Sequence, residues 1–274
     1  MDRVDLAGFI DLHVHTAPDI RPRYGDDIEI VRAAAEAGQR AILIKSHWTL
    51  TADRAVVAEK VVGGIRVFGG LALNSTVGWL NPRAVEVALQ MGAKQIWMPT
   101  LDLAAPGGHR RPEPVILDDE GKIRPAVYEI LDMAREADVI LGTGHLAVPE
   151  TVALVRLARQ RGLHKILVTH PEASFIAMPL ASQMEIVDEG VFFERCYNDV
   201  TPLDEPGMPL AELADQIRQT GIEHTVLSSD YGQVGHPAPT EGFRAYLAGL
   251  LEEGFRRTEI ERMAGDNPAH LVGL

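Results

Sequence analysis

The chain has 274 residues, of which 46% are hydrophobic, 24% charged and 5% aromatic, a composition typical of globular proteins. Its formal net charge of −13 makes nucleic acid and anionic membrane surfaces poor partners, and no run of apolar residues approaches the roughly 18 that a membrane-spanning helix needs. Because the amino terminus lacks the basic and apolar segments of a signal peptide, and the one cysteine, Cys196, cannot form an internal disulfide, we expect a cytoplasmic location.

Short β-branched and apolar segments alternate with amphipathic segments along the whole chain. The pattern predicts strands near residues 9–13, 41–45, 66–73, 95–99, 139–143, 165–169, 191–194 and 225–229. It predicts helices near residues 27–37, 51–61, 82–91, 125–137, 149–161, 180–189, 210–220 and 240–252. Glycines at several helix ends and prolines in several first turns support these bounds. Strands that alternate with helices of this length form parallel βαβ units.

The count and the length of these units predict one domain, a (β/α)₈ TIM barrel that spans residues 1–274. An open doubly wound sheet is the alternative, but the glycine-rich phosphate-binding turn of that fold is missing after the first strand. The longest irregular connection, residues 101–124, follows the fourth strand and contains His109, Arg110 and Arg111. A connection this long is typical of a loop that covers a site or of a disordered segment, and we expect it to lie over the site.

Five of the ten histidines fall at the predicted carboxyl ends of strands. They are His13 and His15 at the first strand, His47 at the second, His145 at the fifth and His170 at the sixth. In a (β/α)₈ barrel the carboxyl ends of the strands form the face that carries the catalytic groups. We therefore interpret these five side chains as candidates for one functional site.

The first strand carries the clearest pattern. Residues two apart point to the same side of a strand, so His13 and His15 should project together, with Asp11 behind them on the same side as a possible acceptor for a ring N–H. Two imidazoles placed in this way can bind one metal ion; the alternative is two histidines with unrelated hydrogen bonds at a strand end. Asp230, at the end of the eighth strand, adds a carboxylate that would otherwise be a helix cap or a loop residue. Nitrogen ligands with one carboxylate suit a divalent metal, Zn²⁺ first, with Mn²⁺, Fe²⁺ and Ni²⁺ as further candidates.

Five positions in this order resemble the amidohydrolase superfamily of metal-dependent hydrolases: His13-X-His15 on strand one, His145 on strand five, His170 on strand six and Asp230 on strand eight. The tail over residues 265–274 is similar to the usual ending of that superfamily. The resemblance implies a TIM barrel that uses a metal-activated water to hydrolyse an amide, an ester or a lactone. It implies that Asp230 accepts a proton from this water and passes it to the leaving group. It also implies that His170 binds a second metal or stabilises the developing oxyanion.

The number of metal ions, one or two, depends on strands two and four. Binuclear members of the superfamily place a bridging carboxylated lysine or a glutamate at the end of strand four, where this chain has Trp-Met-Pro-Thr over residues 97–100. This departure favours one metal, held by the two first-strand histidines and Asp230, with His145 as a further ligand. On strand two, a carbamylated Lys45 could instead bridge two metals. The other interpretation of Lys45 is a buried amine that pairs with an acid or faces the substrate.

Substrate contacts are expected from side chains near the same face. His47 shares a face of strand two with Lys45, and we expect it to contact substrate. Arg21 and Arg23 follow the first strand, and a guanidinium can bind a carboxylate or a phosphate through two hydrogen bonds. The substrate is therefore predicted to be a small molecule, anionic if these arginines contact it; the alternative is that they are only solvated.

Other residues at strand ends are assigned more simply. Tyr231 is expected to contact substrate, and Trp48 and Glu194 could line the same pocket. Cys196 has no obvious base beside it in the sequence, so we interpret it as a packing residue.

Three other functions are compatible with parts of this pattern. A metal-dependent decarboxylase or other lyase uses the same ligands on the same scaffold. A phosphoesterase also begins with His-X-His, although that group has more ligands and usually lacks the Ser-Ser-Asp and Asn-Pro segments found here. A non-catalytic barrel would be expected to have lost a ligand, and the loss visible here is at strand four. The expected partner is a small-molecule substrate, and a homo-oligomer stays open because such barrels often associate.

Overall fold

Parallel strands alternate with helices in the computed structural model, which describes residues 4–101 and 115–274. The strands are β1 (Ile10–His15), β2 (Ala41–Lys45), β3 (Arg66–Ala72), β4 (Gln95–Trp97), β5 (Ile140–Gly142), β6 (Ile166–Thr169), β7 (Phe192–Cys196) and β8 (Thr225–Ser228). The helices after them are α1 (Asp27–Glu36), α2 (Ala52–Val62), α3 (Pro82–Gln90), α4 (Pro125–Glu136), α5 (Val148–Gln160), α6 (Leu180–Val187), α7 (Leu210–Thr220) and α8 (Pro239–Glu252).

Each strand pairs in parallel with the next, in the order β1 to β8. The barrel closes where β1 meets the residues that follow β8. There the N–H of His15 donates to the carbonyl of Tyr231 at 2.8 Å, and the N–H of Asp230 donates to the carbonyl of His13 at 2.9 Å. The predicted (β/α)₈ TIM barrel is confirmed.

A bulge in β1 decides which of its side chains face the inside of the barrel. Asp11 pairs with Ile42 and Val14 pairs with Ile44, so β1 has one residue more than β2 between these pairs. Ile42 and Ile44 belong to an outer cluster with apolar residues of α1 and α2. Asp11 therefore lies on the outer side of the sheet, and the expectation that it shares a side with the two histidines is wrong, because strict alternation does not hold across a bulge.

The carboxyl-terminal segment closes the opposite end of the barrel. It forms α9 (Arg257–Glu261), a π-helical turn (Arg262–Asp266) and α10 (Asn267–Val272), none of which the sequence pattern predicts. The side-chain amide of Asn267 donates to the carbonyls of Ile222 and Thr225, at 2.8 and 2.6 Å, next to the start of β8. Apolar residues of α10 join the core inside the barrel with strand residues that include Ile10, Leu43, Trp97, Leu167 and Val226. The polar side chains of the site therefore lie above an apolar core inside the barrel.

The predicted loop over the site is described only in part. Residues 102–114, with His109, Arg110 and Arg111, lie outside the described residues. Residues 115–124 are anchored by Glu150 on α5, whose Oε1 accepts the N–H groups of Val115 and Ile116 at 2.8 and 2.7 Å. Within the described ranges, no helix has the length and the apolar character needed to cross a membrane.

Gly232 is required at the seam between β1 and β8. Its φ is 127°, and a Cβ at this position would lie 1.8 Å from the carbonyl oxygen of His15. We expect Gly232→Ala to lower the free energy of unfolding by about 1–3 kcal/mol, because the backbone of the seam must move. Urea unfolding measures the effect. Gly92→Ala is the matched control, since Gly92 also has a positive φ (87°) but a Cβ there would meet no atom within 4 Å; equal losses for both variants would contradict the steric explanation.

Candidate metal centre

Three donor atoms from the two ends of the chain meet inside the mouth of the barrel. The Nε2 atoms of His13 and His15 each lie 3.1 Å from Oδ1 of Asp230. The two histidines belong to β1, and Asp230 follows β8, the strand that closes the barrel on β1. All three residues are buried. The structure therefore brings together three of the residues that the sequence assigned to a metal.

Two residues of the site have backbone conformations that side-chain-bearing residues rarely adopt. The φ angles are 52° for Asp230 and 24° for His170. Such conformations cost of the order of 1–3 kcal/mol, persist only where neighbouring groups fix them, and cluster at functional sites. Asp230 is fixed by its N–H bond to the carbonyl of His13 and by Asn198, whose amide donates to Oδ2 at 3.2 Å. The turn after β8 thus directs the carboxylate toward β1.

Lys45 at the end of β2 lies next to the same three groups. Its Nζ is 2.8 Å from Nε2 of His13 and 5.6 Å from the centre of the Trp97 ring. Burial lowers the pKa of Lys45, and it outweighs the carboxylates of Asp230 and Glu194, which raise it. The position fits both interpretations drawn from the sequence, a carbamate bridge and a buried amine beside the ligands.

The five strand-end histidines form a closed ring of neighbours around the site. Adjacent ring centres are 5.4 Å apart for His13–His15, 5.0 Å for His15–His47, 5.9 Å for His47–His145, 4.8 Å for His145–His170 and 5.7 Å for His170–His13. The orientation of the His47 ring is fixed by Thr100, whose Oγ1 lies 2.8 Å from its Nδ1. The side-chain amide of Asn74 donates a hydrogen bond to the same Oγ1 at 2.7 Å. Residues from β1, β2, β5 and β6 are thus in mutual contact.

Burial keeps most of these imidazoles neutral. It lowers the pKa of His15 and of His170 to about 3 each, so both keep a lone pair for a ligand at pH 7. For His13, burial and Lys45 lower the pKa, but Asp230 and Glu194 outweigh them and raise it to about 9. For Asp230, burial raises the pKa, but His13 and His15 outweigh it and hold the pKa well below its usual range. At pH 7 His13 is therefore doubly protonated and lies between two carboxylates, whereas His15 and His170 are neutral.

The residues present fit a divalent cation. Donor atoms of His13, His15 and Asp230 all lie within 4.8 Å of one another, and two imidazole nitrogens with one carboxylate oxygen form a donor set that Zn²⁺ accepts readily. A cation here would replace the Nε2 proton of His13 as the partner of Asp230. In addition, His170 lines the cavity, and its buried Nδ1 has no hydrogen-bond partner among the described residues.

Glu194 and Cys196 have a closer relation to the site than the sequence indicated. Both face inward from β7, where Oε2 of Glu194 lies 3.2 Å and Sγ of Cys196 3.8 Å from Nδ1 of His13. The sequence shows no base beside Cys196, but the fold places the imidazole of His13 next to it, 183 positions away in the chain. The sequence signal that could have identified Glu194 is a carboxylate in the predicted strand 191–194. It stands at a position that the alternation of side chains assigns to the inside of the barrel.

A cavity of about 680 Å³ opens above the centre. Predicted site residues that line it are His15, Arg21, Lys45, His47, His145, His170 and Asp230. The guanidinium of Arg21 lies 5.8 Å from the centre of the Trp48 ring, and Arg23, which also lines the cavity, pairs with Asp19 at 2.8 Å. Phe175, Leu203 and Val234 add apolar surface to the lining. The cavity therefore offers guanidinium groups and apolar side chains to a substrate that lies above the donor atoms.

Tyr231 is not brought to this cavity. Its ring stacks on His236 with centres 4.2 Å apart, and its hydroxyl lies 2.7 Å from Oγ1 of Thr201. The ring also packs on α8, where a Cβ at Gly242 would lie 2.1 Å from a ring carbon. Tyr231 does not reach the cavity because of the turn at Asp230. The turn points the side chain of Asp230 into the barrel and the side chain of Tyr231 toward the helices.

Comparisons with known proteins support the fold. One family model, described as a family of unknown function (DUF6282), matches residues 8–194, a segment that contains the site residues of β1, β2, β5, β6 and Glu194 and ends before Asp230. No curated protein sequence matches the chain.

Among solved structures, the chain is similar to an amidohydrolase from Pseudomonas aeruginosa, with 12% identity and a TM-score of 0.63 over 97% of this chain and 95% of that one. The probable dipeptidase PvdM from Pseudomonas aeruginosa gives 11% identity and a TM-score of 0.69 over 97% and 94%. A lactonase from Listeria monocytogenes gives 12% identity and a TM-score of 0.64 over 98% and 95%. The resemblance to amidohydrolase-type barrels is confirmed for the fold, and the activity has to be argued from the site.

Proposed function

For this chain, which belongs to the family DUF6282, we propose the function of a metal-dependent hydrolase that acts on an amide, an ester or a lactone of a small molecule. One observation carries the proposal: Nε2 of His13, Nε2 of His15 and Oδ1 of Asp230 converge, with both nitrogens 3.1 Å from that oxygen, beside a cavity of about 680 Å³. A cavity of this size suits a small ligand.

His13, His15 and Asp230 would hold the cation, with Zn²⁺ as the first candidate and Mn²⁺, Fe²⁺ or Ni²⁺ as alternatives. His145 and His170 would be the further ligands if a second ion binds, and Lys45, if carbamylated, would supply another. When bound, a divalent cation lowers the pKa of water from about 16 toward 7 and so supplies a nucleophile at neutral pH.

The protein's own groups supply the proton transfers. Asp230 is ionised, and Asn198 holds its Oδ2 at 3.2 Å, so the carboxylate can accept the proton of the attacking water and pass it to the leaving group. His170 is a neutral imidazole that lines the cavity. It can therefore donate a hydrogen bond to the oxyanion that develops on the substrate.

Substrate contacts are proposed for His47 and Arg21. Thr100 engages Nδ1 of His47 at 2.8 Å and leaves the opposite nitrogen for a substrate group. Arg21 lines the same cavity beside Trp48 and would hold a carboxylate or a phosphate of the substrate.

The test combines metal analysis with a substrate panel. Purified protein is analysed for metal content and assayed with Zn²⁺ on lactones, esters, amides and phosphoesters. We expect hydrolysis of a carbonyl compound that falls to background after chelation and returns with Zn²⁺. Activity that survives complete removal of metal would contradict the proposal, and release of carbon dioxide instead of hydrolysis would assign the chain to the lyases.

A further inference from the structure

The imidazole of His13 lies between two carboxylates, one at each ring nitrogen. Its Nε2 faces Oδ1 of Asp230 at 3.1 Å, and its Nδ1 faces Oε2 of Glu194 at 3.2 Å. The side chains of His13 and Glu194 are completely buried. The two contacts differ in role, because Asp230 lines the cavity and Glu194 lies behind the imidazole.

The charge of Glu194 is directed at this imidazole. Its Oε1 accepts from Oγ of Ser228 at 3.2 Å. Its Oε2 accepts no hydrogen bond from residues 4–101 and 115–274, and it lies within ion-pair distance, 3.2 Å, of Nδ1 of His13. The neighbouring Arg195 does not neutralise Glu194, because Arg195 points to the other side of β7 and pairs with Glu172. A buried carboxylate is costly unless a donor or a cation satisfies it, and besides His13 a charged group that interacts with Glu194 is Lys45.

An imidazole that binds a metal through one nitrogen must carry its proton on the other. A carboxylate at the second nitrogen fixes that tautomer and the orientation of the ring, and it increases the basicity of the ligand. We propose that Glu194 is a positioning residue that keeps the proton of His13 on Nδ1 and so presents Nε2 to the cation. This inference rests on the proposed function and adds a residue of β7 to a site built from β1, β2, β5, β6 and β8.

His15 provides an internal contrast. Its Nδ1 is also buried but has no hydrogen-bond partner within the described part of the chain. Of the two β1 ligands, His13 is the one that has a carboxylate of the described residues within ion-pair distance of its Nδ1. Sγ of Cys196 lies 3.8 Å from the Nδ1 of His13, and as a thiol it can either donate or accept, so it does not select one tautomer of His13.

The test is the affinity for Zn²⁺, measured by competition with a chromogenic chelator. Glu194→Gln keeps the size of the side chain and removes its charge. We expect it to bind Zn²⁺ about 10–100-fold more weakly than the wild type. Glu150→Gln is the matched control, because Glu150 is also a buried glutamate but accepts backbone N–H groups of Val115 and Ile116; its affinity should equal that of the wild type.

Two results would overturn the inference. Equal affinities of Glu194→Gln and the wild type would remove the positioning role and leave the proposed function intact. A wild type that binds no Zn²⁺ would overturn the proposed function and this inference together. If Glu194→Gln does not fold, the ¹⁵N resonances of His13 in the metal-free wild type, at a pH above its pKa of about 9, decide the question: a proton on Nδ1 supports the inference, and a proton on Nε2 overturns it.

Discussion

Replacement of Asp230 by asparagine is expected to lower kcat by about 10²–10⁴-fold, the range that general acid–base groups contribute. The amide cannot accept the proton that the carboxylate takes from water. The fold should persist for two reasons. Asparagine tolerates the positive φ of 52° at this position, and the contact with Asn198 can be kept by the amide oxygen. Steady-state kinetics and metal content of the same preparation measure the two effects separately.

Asp204→Asn is the control for the Asp230 variant, since Asp204 also lines the cavity and the change removes the same charge. We expect it to retain kcat within a few-fold of the wild type. An Asp230→Asn variant with normal kcat and a full complement of metal would exclude Asp230 as the proton acceptor. A variant that has lost its metal would instead identify Asp230 mainly as a ligand.

The order of strands and helices was predictable from local patterns. Each strand is a short apolar segment next to a turn residue, and each barrel helix has its own apolar face, so eight units in the right order need no long-range information. The same applies to His13 and His15, which are close in sequence. Strand ends then bring His47, His145, His170 and Asp230 to one face by topology alone.

What could not be predicted depends on contacts between distant segments. The bulge in β1 arises from pairing with β2, so the orientation of Asp11 relative to His13 could not be read from β1 by itself. Glu194 meets His13 only because the barrel closes. Tyr231 is turned away by the conformation of the residue before it, a backbone property that an aspartate permits but does not require.

The double variant His13→Ala, His15→Ala is expected to lose the bound metal and, with it, activity down to background. Two of the three converging donors are removed, and Asp230 alone cannot hold a cation with useful affinity. The loss should be larger than that caused by Glu194→Gln, which leaves all three donors in place. Metal content after dialysis against Zn²⁺-containing buffer measures the effect.

The matched control for the double variant is His164→Ala, His270→Ala, which removes two exposed histidines on other parts of the surface. It should bind as much metal as the wild type, since neither side chain belongs to the ring of five imidazoles. Because Asp230 and Glu194 lose the imidazole between them in the His13→Ala, His15→Ala variant, circular dichroism must show that its fold is intact before the metal content is compared. Full metal occupancy in a folded double variant would refute the ligand assignment, because no metal could then depend on the two nitrogens that converge on Asp230.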